Sequence, residues 1–97
     1  MSGTADPVAG GPAGPPAPPS VVLYGRPDCH LCEEALAVVE RVRARVAFEL
    51  QQVDIESDDE LFKRYLERIP VLVVGGQELF EFFVDEQLLE SALRAAR

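Results

Sequence analysis

Arg26-Pro27-Asp28-Cys29-His30-Leu31-Cys32-Glu33-Glu34 is the stretch on which the reading of this chain turns. It holds both of the cysteines in the 97 residues, spaced Cys-x-x-Cys. The apolar run Val21-Val22-Leu23-Tyr24 ahead of it reads as a buried strand, and Gly25-Arg26-Pro27-Asp28 as the turn that hands the chain to a helix. Cys29 then stands at a helix N-terminus, where the first-turn N–H groups lack intrahelical acceptors and favour a thiolate over a thiol. The thiolate is the species that attacks a disulfide. Cys29 is therefore the expected nucleophile, and Cys32, less than a turn away, the expected resolving thiol that displaces a mixed disulfide. Neighbouring charges compete: Arg26 and a protonated His30 favour ionisation of Cys29, whereas Asp28, Glu33 and Glu34 oppose it. A modestly lowered pKa for Cys29 is the expectation.

Working outward, Met1 to Pro19 is almost wholly Gly, Ala and Pro with small polar residues. It lacks the large periodic apolar side chains that offset the entropy of ordering, so residues 1–19 read as a disordered tail and residues 20–97 as the one folded domain. The tail has neither the basic start and apolar core of a secretory signal nor the arginines of a transit peptide. No stretch of the sequence is long and apolar enough to cross a bilayer. With a net charge of −8 and a single lysine, Lys63, the chain is expected to repel nucleic acid and anionic membrane surfaces. Two cysteines without an export signal point to the reducing cytoplasm, where a disulfide is more often transient than structural.

Beyond the motif, Cys32, Ala35, Leu36, Val39, Val42 and Val46 recur at helical spacing, which predicts an amphipathic helix from about Leu31 to Arg45 with an acidic start and an arginine-rich end. Phe48 to Ile55 reads as a second strand whose apolar phase slips at Gln51-Gln52, explained either by a bulge or by burial on both faces. Ser57-Asp58-Asp59-Glu60 fits a capping box for a short helix with Leu61, Phe62, Tyr65 and Leu66 facing inward. Ile69-Pro70 stops that helix and opens a third strand, Val71 to Val74, and Gly75-Gly76 is a hairpin signal leading into a fourth, Gln77 to Phe83. Asp85 is placed to cap a last helix, with Val84 stapled to Leu89 and with Leu88, Leu89, Ala92, Leu93 and Ala96 on its buried stripe. The order is βαβαββα, an α/β arrangement.

Leu23-Tyr24, Cys29 to Cys32, Asp54-Ile55, Arg68-Ile69-Pro70-Val71-Leu72 and Gly75-Gly76 together resemble the glutaredoxins, and within them the short glutaredoxin-like branch. The resemblance covers residues 20 to 97. It implies a minimal thioredoxin fold, a four-stranded mixed sheet flanked by three helices. It also implies a cis bond at Ile69-Pro70 beside the dithiol, with the Ile69 backbone available to pair with an extended substrate segment as an added strand does. Among the marks of glutathione-using members, Pro70 and Asp85 carry over, while Cys-His-Leu-Cys and Phe82-Phe83 depart from the usual pattern. Arg26, His30 and Arg68 join Ile69, Pro70 and Asp85 as the expected substrate-binding residues, Arg68 as a partner for a carboxylate of a peptide or of glutathione.

The activity so implied is thiol–disulfide oxidoreduction by Cys29 and Cys32, with no bound cofactor and with glutathione as a candidate co-substrate. The expected partners are a disulfide-bearing protein or a glutathione mixed disulfide, and a reductant, either glutathione or a protein of the thioredoxin-reductase type. The chain is expected to act as a monomer. The competing reading takes Cys29 and Cys32 as half of a metal or iron–sulfur site bridging two chains, since one chain has no second cysteine pair to complete a tetrahedral site.

Overall fold

The computed structural model describes residues 18–96, so residues 1–17 of the expected tail lie outside the described residues. Strands β1 (Ser20–Gly25), β2 (Glu49–Asp54), β3 (Val71–Val74) and β4 (Gln77–Glu81) form one sheet in the order β2-β1-β3-β4. Helices α1 (His30–Arg43), α2 (Asp59–Tyr65) and α3 (Glu86–Ala95) complete the βαβαββα order. β1 runs parallel to β2 and antiparallel to β3, and β3 runs antiparallel to β4, which makes the sheet mixed. This is the minimal thioredoxin fold.

Alternation along the strands decides which helix covers which face. Val21 and Leu23 of β1 and Leu72 and Val74 of β3 pack into one cluster with Ala35, Val39 and Val42 of α1 and Leu89 and Leu93 of α3. Tyr24, Val71 and Val73 pack into a second cluster, where α2 supplies Tyr65, Leu61 and Phe62. Fully burying each large aliphatic side chain contributes about 1.5–3 kcal/mol, and Val21, Val39, Val42, Leu72, Leu89 and Leu93 are at 0 % exposure.

Several expectations needed correction. The slip in the second strand is not a bulge: the β1–β2 ladder runs unbroken from Ser20↔Glu49 to Gly25↔Asp54. The strand instead passes from the first cluster, through Leu50, to the second, through Ile55, which sits beyond it in a 3₁₀ turn. The register shift of this sheet lies between β3 and β4, at Leu72/Val73. Ser57 does not cap α2. Its hydroxyl donates to the Asp54 carbonyl at 2.6 Å inside the 3₁₀ turn, and the Asp58 carboxylate accepts the Glu60 N–H at 2.9 Å as the N-cap. On α3, Leu89 and Leu93 stand one above the other on the sheet-facing stripe, while Leu88 is rotated about 100° from Leu89 and is 60 % exposed. Ala96 is also exposed, as the C-cap.

β4 ends at Glu81 rather than Phe83 because Phe82 turns away at φ 67° and donates its N–H to the Pro70 carbonyl at 2.8 Å. Gly75 and Gly76 form the β3–β4 turn at φ 59° and 86°, a conformation glycine adopts without a Cβ clash. Asp85 caps α3 as expected, its carboxylate accepting the Leu88 N–H at 2.9 Å.

α1 ends at Arg43 rather than at the expected Arg45, and the arginines at and just beyond its end do more than complement its dipole. Arg41 and Arg45 reach Glu86 at 3.1 and 2.8 Å, Arg45 also reaches Glu90 at 3.0 Å, and Arg94 adds a contact to Glu90 at 2.7 Å, so α1 and α3 are latched at this end. Hydrogen bonds from Arg45 and then Arg41 hold the Glu86 carboxyl below the ordinary carboxylate range, and those from Arg94 and then Arg45 do the same for Glu90. A carboxyl whose folded-state pKa is depressed contributes stability that is present above its unfolded value and lost as pH falls through its folded one. The melting temperature should therefore hold from neutral pH to about pH 5 and fall below about pH 4. In Glu86→Gln the fall below pH 4 should be shallower, as thermal melts across that range would show, and added salt should weaken the effect because the arginines are exposed and the glutamates only half-buried.

Candidate active site

Pro27 and Asp28 make the turn that the sequence places between β1 and α1, with Asp28 at φ 59°, a left-handed conformation that aspartate tolerates. The turn delivers Cys29 to the N-cap of α1 in extended conformation, and its Sγ accepts the Cys32 N–H at 3.2 Å. A first-turn amide of the helix thus points at the outer sulfur. Cys29 and Cys32 are joined in a disulfide, with their Cα atoms 5.2 Å apart. Both are half-buried and pack against the cluster of Ile55, Tyr65, Ile69 and Val71. The Ile69–Pro70 bond is cis, and Pro70 is buried.

Gly25 makes the inner sulfur possible. A Cβ added there would stand 2.9 Å from Cys32 Sγ and 3.2 Å from its Cβ. The closed disulfide leaves that sulfur no rotamer into which to retreat, so Gly25→Ala should destabilise the oxidised protein by about 1–3 kcal/mol. The reduced protein should lose less, a difference that denaturant titrations of the two forms would measure. The sequence read Gly25 only as a turn residue; a glycine ending a strand also marks close approach, which is its role here.

The other expected site residues are placed as follows. Arg26 is exposed and lies 3.7 Å from Glu56. His30 is exposed at the first position of α1, with its Nε2 2.7 Å from the Glu34 carboxylate. Arg26 and His30 are therefore each within reach of a carboxylate. Arg68 lies over the Tyr65 ring, 5.3 Å from its centroid, with its guanidinium held by Glu78 and Glu81 of β4. A substrate carboxylate would meet a guanidinium whose Nε and Nη2 are already engaged by two glutamates. Ile69 donates its N–H to the Tyr65 carbonyl at 3.0 Å, so of the two backbone groups expected to meet an added strand, the donor is already engaged. Asp85 is occupied as the α3 cap.

Tyr24, Tyr65 and Phe82 were named in the sequence reading without the contacts they make around the cysteines and Pro70. Tyr24 stacks on Tyr65 with centroids 4.5 Å apart, beside the cluster that holds both cysteines. Burial, and then a hydrogen bond to Glu78, hold the Tyr65 phenol above its usual pKa. Phe82 closes the Pro70 carbonyl. Among the described residues no group of three or more His, Cys, Asp or Glu side chains is placed to hold a metal ion.

The family model described as the glutaredoxin-like domain (DUF836) matches residues 20–94. The chain belongs to that family. The glutaredoxin-like domain is similar to protein Ne2328 of Nitrosomonas europaea, solved by NMR in solution, at 33 % identity over 82 % of this chain and 96 % of that one, with a TM-score of 0.71. It is similar to protein XcR50 of X. campestris, solved by X-ray, at 36 % identity over 79 % of this chain and 99 % of that one, with a TM-score of 0.66. A mutant thioredoxin from Halobacterium salinarum, at 19 % identity over 81 % of this chain and 74 % of that one, shares the fold with a TM-score of 0.62. The glutaredoxin-like domain thus presents a Cys-x-x-Cys pair at disulfide distance on a thioredoxin fold, the arrangement that redox chemistry at a dithiol requires. Among the described residues no helix is long and apolar enough to cross a membrane.

Proposed function

We propose that the protein is a thiol–disulfide oxidoreductase in which Cys29 attacks and Cys32 resolves. One observation carries this reading: Cys29 caps α1 with its sulfur accepting a first-turn amide, while Cys32 lies within bonding reach of it. An amide aimed at the sulfur stabilises the charge of a thiolate, whether it is the attacking group or the one released when the disulfide is reopened. The reduced dithiol passes two electrons to a disulfide in a protein or small molecule and is left as the Cys29–Cys32 disulfide. A thiol reductant, glutathione or a protein of the thioredoxin-reductase type, then reopens it. The reading places the protein in the reducing cytoplasm, acting as a monomer without nucleic acid or membrane.

Cys32→Ser tests the division of labour. With the resolving thiol gone, Cys29 should stay covalently joined to its substrate, and intact-mass measurement after mixing with a peptide disulfide should find the adduct in most of the protein. The wild type should show almost none. A variant that accumulates no adduct while still reducing substrate at the full rate would remove Cys32 from the proposed role.

A further inference from the structure

A groove of about 350 Å³ runs beside Cys32, between the first turns of α1 and the C-terminal end of β2. Its apolar lining is Leu23, Leu36 and Val53, and its rim carries the carboxylates of Asp28, Glu33 and Asp54. Among the described residues none of these three has an ion-pair partner, and Arg26, the cation on the same rim, is matched by Glu56. An aliphatic lining under an anionic rim suits a long side chain with an apolar stem and a cationic head. Of the common ligands with such a stem and head, a lysine or arginine side chain of a polypeptide fits this combination of lining and charge.

We infer that the substrate of this dithiol is a polypeptide disulfide with a lysine or arginine close to the reacting cysteine, and that the basic side chain lies in the groove beside Cys32. The inference rests on the oxidoreductase reading above and names its substrate class. In the reaction the Cys29 thiolate attacks one sulfur of the peptide disulfide, a Cys29–peptide bond forms as the peptide S–S bond breaks, and the departing thiolate takes a proton from water. The Cys32 thiolate then attacks the Cys29 sulfur, closing the Cys29–Cys32 bond and releasing the second peptide sulfur, which is protonated in turn. The peptide gains two electrons and two protons, and the dithiol loses the same. Anionic glutathione disulfide meets the same rim with the wrong sign of charge.

The test is single turnover of the reduced full-length chain against two synthetic peptide disulfides that differ only in lysine or glutamate beside the cysteine, with glutathione disulfide as a third substrate. The lysine peptide should react about tenfold faster than the glutamate peptide at low ionic strength, and the ratio should shrink severalfold at high salt, as expected for a cleft lined by one sign of charge. Asp28→Asn with Glu33→Gln should reduce the ratio about threefold. Asparagine suits the left-handed backbone at Asp28, so the turn is kept. Glu49→Gln with Glu67→Gln, which removes the same amount of charge outside the groove, should leave the ratio unchanged. Equal rates for the two peptides, an equal loss of preference in both double variants, or glutathione disulfide outpacing the lysine peptide would each overturn the inference and leave the oxidoreductase reading standing. Reduction of none of the three removes that reading, and the inference with it.

Discussion

Cys29→Ser is expected to lower the rate of disulfide reduction at least about a thousandfold, because a hydroxyl neither ionises near neutral pH nor forms the mixed disulfide. The fold should survive the change. Serine is among the preferred N-cap residues, so its oxygen takes over the contact that Cys29 Sγ makes with the Cys32 N–H at 3.2 Å, and α1 starts where it did. Compared with reduced wild type, the variant should melt within a few degrees, which separates loss of chemistry from loss of structure. The measurement is turnover of insulin or of a small disulfide with a supplied thiol reductant. Activity retained at the wild-type rate would end the assignment of Cys29 as nucleophile.

The second large effect is on stability. Leu72 is at 0 % exposure on β3, opposite Leu23 of β1 and Phe80 of β4, and it belongs to the cluster that seats α1 and α3. Leu72→Ala removes those contacts from a site walled by two strands and two helices, where collapse is hindered, and should cost about 3 kcal/mol. For a domain of this size that corresponds to a fall in melting temperature of roughly 12–24 °C. Leu88→Ala is the internal comparison. Leu88 is 60 % exposed, and its loss should change stability by less than about 0.5 kcal/mol. Thermal melts of the two variants side by side decide the matter, and a similar loss in both would mean that the outer face of α3 is covered after all.

How much of this was legible in the sequence follows from how local the determining forces are. The β1–turn–α1 unit, the glycine hairpin and the Asp85 cap were all readable because each is fixed by a few adjacent residues: a helix-opening dithiol, two glycines, an aspartate three residues ahead of an amide it can accept. Ser57 and Asp58 show where that locality fails. Either side chain can cap the next helix, and the choice is made by Asp54, which draws Ser57 into a 3₁₀ turn through contacts that a capping pattern does not contain. The phase slip at Gln51-Gln52 was ambiguous for a related reason. The two explanations give one sequence pattern, and only the neighbouring strand distinguishes them.

At the site, the cysteines and Ile69-Pro70 were readable from the motif and the resemblance. What each charged neighbour does was not, because ion pairs join residues far apart in the chain. Arg45 binds Glu86 and Glu90, and Arg68 binds Glu78 and Glu81. Leu88 was assigned to the buried stripe because it adjoins Leu89. On a three-turn helix of small and charged residues the apolar arc is too short to fix its own edge, and packing of Leu89 and Leu93 into the cluster shared with α1 and the sheet sets it.

The amide hydrogen just ahead of Pro70 is engaged within the fold. Ile69 gives its own to Tyr65, so a visiting chain laid along that loop meets a carbonyl but no donor from the same residue. Main-chain grip is indifferent to what the visitor is made of, since every polypeptide offers the same peptide groups. Under the proposed oxidoreductase reading, with that donor engaged, discrimination among substrates would pass to the side chains the visitor displays on either side of its backbone.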